Sequence, residues 1–160
     1  MPLPSAPFDP ANSIFNGLSI IQLKIDGTSL VYEATQIDDD PEQDVKYLSR
    51  PDIKGVVRNV RGVQTKANEK WTFSLDEVKR LLEIFGGKLR GRVTATCTLW
   101  IPDVDDATGK CALQSQADFK CTVSRDGKVT FGNSDYSKTS IKIESNEPDD
   151  ITWTKDAVIV

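Results

Sequence analysis

The clearest pattern in the sequence is "TFSLDEVKRLLEIFGG", which runs from Thr72 to Gly87. It starts like a capped helix, because Ser74 is a good N-cap and Glu77 follows three residues later, as in a capping box. Two glycines close the stretch, as they often do after a last helical turn. Apolar residues recur at helical spacing on one face, and they are Leu75, Val78, Leu81, Leu82 and Phe85. The stretch predicts one α-helix over about 74–86, which is too short to be stable unless this face packs against a sheet.

The segments before this helix alternate between apolar and polar residues, which is typical of strands. "LSIIQLKIDGTSLVYEAT" (18–35) has the turn residues Asp26 and Gly27 between two alternating runs, and this pattern predicts a β-hairpin. "GVVRNVRGVQTKANEKWTF" (55–73) is rich in β-branched residues and predicts a second hairpin with its turn at 66–68.

Strands are also predicted after the helix. In "GRVTATCTLWI" (91–101), alternate residues from Val93 to Ile101 are apolar and share one face, while threonines and Trp100 share the other. Further strands are predicted in "ALQSQADFKCTV" (112–123), "KVTF" (128–131), "KTSIKIES" (138–145) and "ITWTKDAVIV" (151–160). About eight to ten strands with one helix favour a mainly β fold, a two-sheet antiparallel β-sandwich or barrel flanked by one α-helix.

The chain of 160 residues suits one domain. Residues 1–17 contain several prolines and few periodic apolar positions, and we expect them to form an extended N-terminal arm. Residues 18–160 are then expected to form a single β-sandwich domain. This domain contains a long polar loop at 36–55, interrupted by Pro41 and Pro51, with short strand character in "DVKYL".

Composition argues against several kinds of site. A net charge of −4 and a pI near 4.9 disfavour a basic nucleic-acid groove. The chain has no histidine, which removes the commonest general base and metal ligand. Cys97, Cys111 and Cys121 lack a CxxC spacing, so we expect small buried side chains in strands rather than a zinc site or disulfide framework. With no apolar run of membrane-spanning length and no signal-peptide pattern, the default expectation is a cytosolic product without a membrane partner.

No motif for catalysis or for a cofactor is present, so we expect neither an enzyme nor a metal or cofactor site. The acidic segments "DDDPEQD" (38–44) and "DVDDATGK" (103–110) are expected to be solvated, and the second lacks the terminal Glu of a calcium loop. Trp100 is expected to pack against a neighbouring strand or subunit. A sugar platform lined by Trp71, Trp100 and Trp153 stays open as an alternative.

The layout of the chain resembles the tail tube proteins of long-tailed bacteriophages and of related contractile injection systems. The parts that carry the resemblance are the proline-bearing arm, the hairpin "IIQLKIDGTSLVYEA", the excursion "QIDDDPEQDVKYLSRPDIKG", the strand ending in "KWTF", the helix "SLDEVKRLLEIFGG" and the strands that follow. The resemblance covers most of the chain and is one of architecture.

The resemblance implies two packed sheets flanked by one helix, in a structural protein that forms hexameric rings. The rings would stack into a virion tail tube whose lumen conducts DNA without binding it specifically, as in genome ejection. The implied partners are further copies of the chain and the tape measure, terminator and baseplate proteins, after synthesis in the host cytoplasm.

The resemblance also implies that the arm and the long loop make the contacts between rings. The candidate interface residues are Phe8, Ile14, Phe15, Asp38, Asp39, Asp40, Glu42, Asp44, Tyr47 and Arg50. An acidic protein suggests a negatively charged lumen that repels phosphate. Arginines on or near predicted strands would weaken that field or pair with a neighbouring subunit, and they are Arg58, Arg61, Arg90 and Arg92. A tail terminator, a baseplate protein and a carbohydrate- or surface-binding β-sandwich remain alternatives.

Overall fold

The computed structural model describes residues 13–14, 17–39, 45–51, 57–64, 69–103 and 110–158. The strands in these ranges are β1 (Ser19–Ile25), β2 (Thr28–Ala34), β3 (Ile37–Asp39), β4 (Val45–Pro51), β5 (Val57–Gln64), β6 (Lys70–Leu75), β7 (Arg92–Pro102), β8 (Lys110–Ser115), β9 (Phe119–Arg125), β10 (Thr139–Ser145) and β11 (Trp153–Val158). A 3-10 turn at Val78–Arg80 leads directly into the helix α1 (Leu81–Ile84). The predicted class, mainly antiparallel β with a single helix, is confirmed.

Nine of these strands form one antiparallel sheet that curls into a half-barrel, while β4 and β5 form a separate two-stranded sheet. The long strand β7 lies in the middle of the large sheet. β1 and then β2 follow on one edge of β7, and β9 and β8 share its opposite edge. β10 pairs with β9, and β11 pairs with β8. Beyond β10 the sheet continues with β6 and then with β3.

The predicted hairpin at 18–35 is confirmed as β1 and β2. Ile25 pairs with Thr28, which leaves Asp26 and Gly27 as a two-residue turn. Both have positive φ, 48° and 79°, as a type I′ turn requires, and this backbone twist matches that of the two strands. The sequence signal was reliable here because the turn chemistry is local.

Two successive strands, β8 and β9, share one edge of β7. At residues 116–118 the strand opposite β7 breaks into β8 and β9, and two hydroxyl groups replace the missing ladder bonds. The N–H of Leu99 donates to Ser115 Oγ at 2.8 Å, and the N–H of Asp118 donates to Thr98 Oγ1 at 3.0 Å. These hydrogen bonds account for two of the four buried hydroxyl residues in the described part of the chain, Ser115 and Thr98.

The core fills the concave side of the curled sheet, and the short helix covers it. The inward side chains of the strands include Leu23, Phe73, Phe119 and Ile143, each at most 1% exposed. Leu81, Ile84 and Phe85 of the helical segment join the same cluster. The three cysteines are also buried in β7, β8 and β9, as predicted.

The predicted bounds of the helix, 74–86, are wrong at the N-terminal end. Ser74 and Leu75 belong to β6, where they pair with Ser140 and Thr139 of β10. Ser74 is therefore no N-cap, and its Oγ lies 3.1 Å from Thr35 Oγ1. Ser74 and Leu75 adopt strand conformation because their backbone groups then form hydrogen bonds in the sheet. The same conformation buries Leu75 on the side of β6 that also buries Trp71 and Phe73.

The shorter helix also changes which side chains are buried. Leu82, predicted on the apolar face, is 43% exposed, whereas Ile84 is 1% exposed. In the 3-10 turn before the helix, successive side chains are rotated by about 120° instead of about 100°. Residues that would share one face of a continuous α-helix therefore no longer do so. The helix prediction was right in type and place, and wrong in length and face.

The predicted second hairpin over 55–73 is also wrong. β5 pairs with β4, whereas β6 pairs with β10 and β3. The strand β4 lies within the predicted loop 36–55, as does β3, so β5 has a closer partner than β6. Trp71 and Phe73 of β6 face the core and lie opposite Ile143 and Ile141 of β10. The predicted strand at 128–131 does not form, and Phe131 is 63% exposed.

Candidate assembly surfaces

The described ranges contain five of the ten predicted interface residues. Asp38 and Asp39 lie exposed on β3, and Asp38 accepts hydrogen bonds from Gln36 Nε2 at 3.0 and 3.1 Å. Ile14 is 38% exposed. The backbones of Tyr47 and Arg50 lie in β4, opposite β5. The remaining five fall outside the described residues, and they are Phe8, Phe15, Asp40, Glu42 and Asp44.

We call the side of the large sheet that faces away from the core the outward face, and its central part is polar. The strand register arranges its central side chains in three rows. These rows are Lys24–Thr96–Lys120, then Thr94–Thr122–Glu144–Lys70, then Arg92–Ser124–Lys142–Thr72. Cations and hydroxyl side chains alternate in the first and third rows, whereas two threonines are followed by Glu144 and Lys70 in the second. The threonine side of β7 that the sequence predicted is one part of this face.

Glu144 lies at the centre of the outward face and is shared by three cations. Its carboxylate oxygens lie 2.9 Å from Lys142 Nζ, 3.6 Å from Arg92 Nη2 and 3.8 Å from Lys70 Nζ. The hydrogen bond from Lys142, with the charges of Lys70 and Arg92, holds the pKa of Glu144 below its usual value despite partial burial. Of this cluster the sequence had singled out only Arg92, because the other members become neighbours only through strand register.

A second surface follows the outer edge of β2. Within the described residues β1 is the one strand paired with β2, so the other edge of β2 has no ladder. A cleft of about 460 Å³ lies against this edge, with Leu18, Val31 and Leu75 among its lining residues. An edge of this kind can pair with another strand unless it is covered.

The helix covers part of this edge through polar contacts. Tyr32 Oη donates to Glu83 Oε2 at 3.4 Å, and the Arg80 guanidinium lies 5.2 Å from the centre of the Tyr32 ring. Arg80 Nη1 also donates to the carbonyl oxygen of Val31 at 3.4 Å, and Arg80 pairs with Glu77. Burial and the nearby Glu83 raise the pKa of Tyr32 well above its usual value. The arrangement ties the helix to the end strand of the sheet.

A third surface is the connection between β9 and β10, residues 126–138. Its aromatic side chains are exposed, Phe131 by 63% and Tyr136 by 88%. Phe131 and Ser137 border a shallow depression together with Val78 of the 3-10 turn. Sequence alternation had assigned Phe131 to a strand, so this exposed pair was missed.

The tryptophans do not form the sugar platform that the sequence left open. Trp71 is 2% exposed on the core side and lies 6.5 Å from the ring of Trp153. Trp100 is on the outward face of β7, where its cross-strand neighbours are Ile20 and Gln114. The three rings therefore lie on opposite sides of the sheet.

The described part of the chain lacks two features. No group of three or more cysteine, aspartate or glutamate side chains comes together there in a way that could hold a metal ion. Among the helices described, none combines the length and the apolar character needed to cross a membrane.

Comparison with known proteins identifies a shared fold. No protein-family model matches the chain, and no curated protein matches it either. A chain of the sheath-tube complex of an extracellular contractile injection system, PVC, in its extended state is similar at a TM-score of 0.50 and 10% identity, over 89% of this chain and 92% of that chain. At this identity the likeness shows a common fold.

Two other solved structures are similar over nearly the whole length. One is a chain of the baseplate of the anti-feeding prophage, at a TM-score of 0.43 and 8% identity, covering 97% of this chain and 98% of that one. The other belongs to the cap that terminates the tube of the anti-feeding prophage, at a TM-score of 0.44 and 8% identity, covering 97% and 95%.

Proposed function

We propose that this chain is a structural subunit of a phage-type tail tube, in which hexameric rings stack around a lumen that conducts DNA. The observation that carries the proposal is the fold, a single curled sheet with one short helix, which this chain shares with a chain of the PVC sheath-tube complex. The function is structural and needs no catalytic group.

The geometry of the sheet supports ring formation. Among the described residues, β2, β3 and β11 each pair with a single strand of the large sheet, which leaves edges available. Because a ring has no ends, head-to-tail contacts between copies would cover two of these edges in every copy, one on each side. The cleft beside β2 gives a neighbouring strand access to that edge.

Stacking between rings is assigned to the arm and to the segment around β3 and β4. Asp38 and Asp39 project from an end strand, and Tyr47 and Arg50 lie in a two-stranded sheet separate from the large one. A segment that is not needed to complete the main sheet can contact another ring without disturbing the core. The further partners are tape measure, terminator and baseplate proteins, and the site of action is the virion tail.

Electron microscopy of the purified full-length chain tests the proposal. We expect hexameric rings or hollow tubes in negative stain, growing with protein concentration. Tyr47→Ala combined with Arg50→Ala should leave rings but stop their stacking, whereas Lys88→Ala, in an exposed turn, should stack as the wild type does. A chain that stays monomeric at high concentration and in all salts would overturn the proposal. Rings that close but never stack would favour a terminator or a baseplate protein.

A further inference from the structure

The outward face of the sheet has a charge balance unlike that of the whole chain. Its three central rows hold five cations, which are Lys24, Lys70, Arg92, Lys120 and Lys142. The carboxylates there are Glu144, at the centre, and Asp38, which continues the third row on β3. Asp118 adds a third beside Lys24, at 3.1 Å. Glu147 lies beside the first row, where its Oε1 accepts a hydrogen bond from the N–H of Lys120 at 2.7 Å. Around the three rows five cations thus stand against four carboxylates, whereas the chain as a whole has a net charge of −4.

We propose that the outward face is a weak, sequence-independent contact surface for the phosphates of nucleic acid, and that Glu144 limits its affinity. This proposal rests on the proposed function in one respect: in a tail tube, the outward face would line the lumen through which nucleic acid passes. It replaces the acidic wall suggested by net charge with a wall that attracts phosphate slightly.

The residue types on this face favour phosphate over other ligands. Arg92 is 73% exposed and can reach a phosphate with its guanidinium fork. Lys120 is exposed on the neighbouring strand β9, two rows away. Threonine and serine hydroxyls fill the remaining positions of the three rows and can donate to phosphate oxygens. The three rows themselves contain no aromatic or aliphatic anchor and no ring on which a base could stack. The ring of Trp100 lies on the same face but beyond the rows, beside Ile20 and Gln114. Contact with phosphates would therefore carry no sequence information.

Glu144 limits the affinity because it already occupies the place between the cations. Its carboxylate lies within 4 Å of Lys70, Arg92 and Lys142, so a phosphate entering this cluster competes with a built-in anion. Each cation of the cluster is thereby partly neutralised before any nucleic acid arrives. A surface along which a polyanion moves must bind it weakly enough to release it quickly. The carboxylate of Glu144 weakens phosphate binding and so permits this release.

Fluorescence anisotropy with short fluorescein-labelled single-stranded oligonucleotides, on dispersed subunits, tests the proposal. We expect weak binding at about 50 mM salt that is lost by about 200 mM. Glu144→Gln should tighten binding roughly three- to tenfold at low salt, with a steeper dependence of affinity on salt. Asp76→Asn makes the same charge change beside the 3-10 turn, away from the three rows, and should leave the affinity within about twofold.

Lysine variants supply the opposite test. Lys120→Gln should weaken binding and reduce the salt slope by about 0.7, while Lys79→Gln, in the 3-10 turn, should not. No binding at low salt, or equal effects of Glu144→Gln and Asp76→Asn, would overturn the proposal, with circular dichroism confirming that both variants are folded at the temperature of the binding measurement. Displacement by poly-glutamate with equal affinity would instead identify an acidic polypeptide as the partner. Dispersed subunits suffice for these measurements, so a failure to form tubes and a failure to bind phosphate are separate results.

Discussion

Leu81 and Leu82 are adjacent leucines with opposite environments, and substituting each by alanine separates the observed helix from the predicted one. Leu81 is fully buried in the core cluster, whereas Leu82 is 43% exposed. Alanine forms helices at least as well as leucine does, so neither substitution should weaken the helix itself. The two variants therefore differ only in the packing that is lost.

The expected magnitudes differ severalfold. Leu81→Ala removes a buried side chain and leaves a cavity under the half-barrel, and such substitutions lower the free energy of unfolding by about 2.5–5 kcal/mol. For a chain of this size that loss corresponds to a fall in melting temperature of roughly 10 °C. Leu82→Ala should change the free energy of unfolding by no more than about 0.5 kcal/mol.

Urea unfolding followed by circular dichroism measures both values under the same conditions. The slope of free energy against urea should stay the same, so the midpoint alone reports the change. Equal losses for the two variants would contradict the observed bounds of the helix, because they are the outcome expected if residues 74–86 formed one continuous helix with both leucines on its apolar face. A loss below about 1 kcal/mol for Leu81→Ala would refute it as well.

Three further predictions concern the stability of the fold. Ser115→Ala leaves the buried N–H of Leu99 without its 2.8 Å partner, so it should cost about 1–3 kcal/mol in urea unfolding, and an unchanged midpoint would contradict this role. Gly27→Ala should cost about 1 kcal/mol because its φ is 79°, and a stabilised variant would argue against the turn. The pKa of Glu144 is lower in the folded than in the unfolded chain, so its stabilising contribution is present at neutral pH and lost as the pH falls through the folded pKa. The melting temperature of Glu144→Gln should therefore vary less with pH below about 4.5 than that of the wild type, and parallel curves would contradict the lowered pKa.

Features that depend on neighbours in the chain could be predicted from the sequence. The turn at Asp26 and Gly27 follows from backbone preferences of those two residues, and the alternation in β7 follows from the period of a strand. At Ser74 and Leu75 two local signals overlapped, since both the strand period of β6 and the helical period include Leu75. Local chemistry could not decide between them, and the ladder with β10 did.

The surfaces could be predicted only in part, because they depend on strand register. The sequence placed Arg92 near a strand but could not bring it to Glu144, 52 positions later, across two intervening ladders. The exposed pair Phe131 and Tyr136 was missed because alternating apolar residues in "KVTF" resemble a strand. The roles of Tyr47 and Arg50 stay predictions, to be decided by the stacking experiment.

The placement of β7 has a mechanical consequence. This strand is 11 residues long and has hydrogen-bonded neighbours on both edges, β1 on one side and β9 and β8 on the other. In an antiparallel sheet these bonds run perpendicular to the strand. A pull along β7 therefore loads all of them at the same time, in shear, instead of opening them one after another from an end. The strand that organises the sheet is thus also the part of the chain best arranged to carry tension.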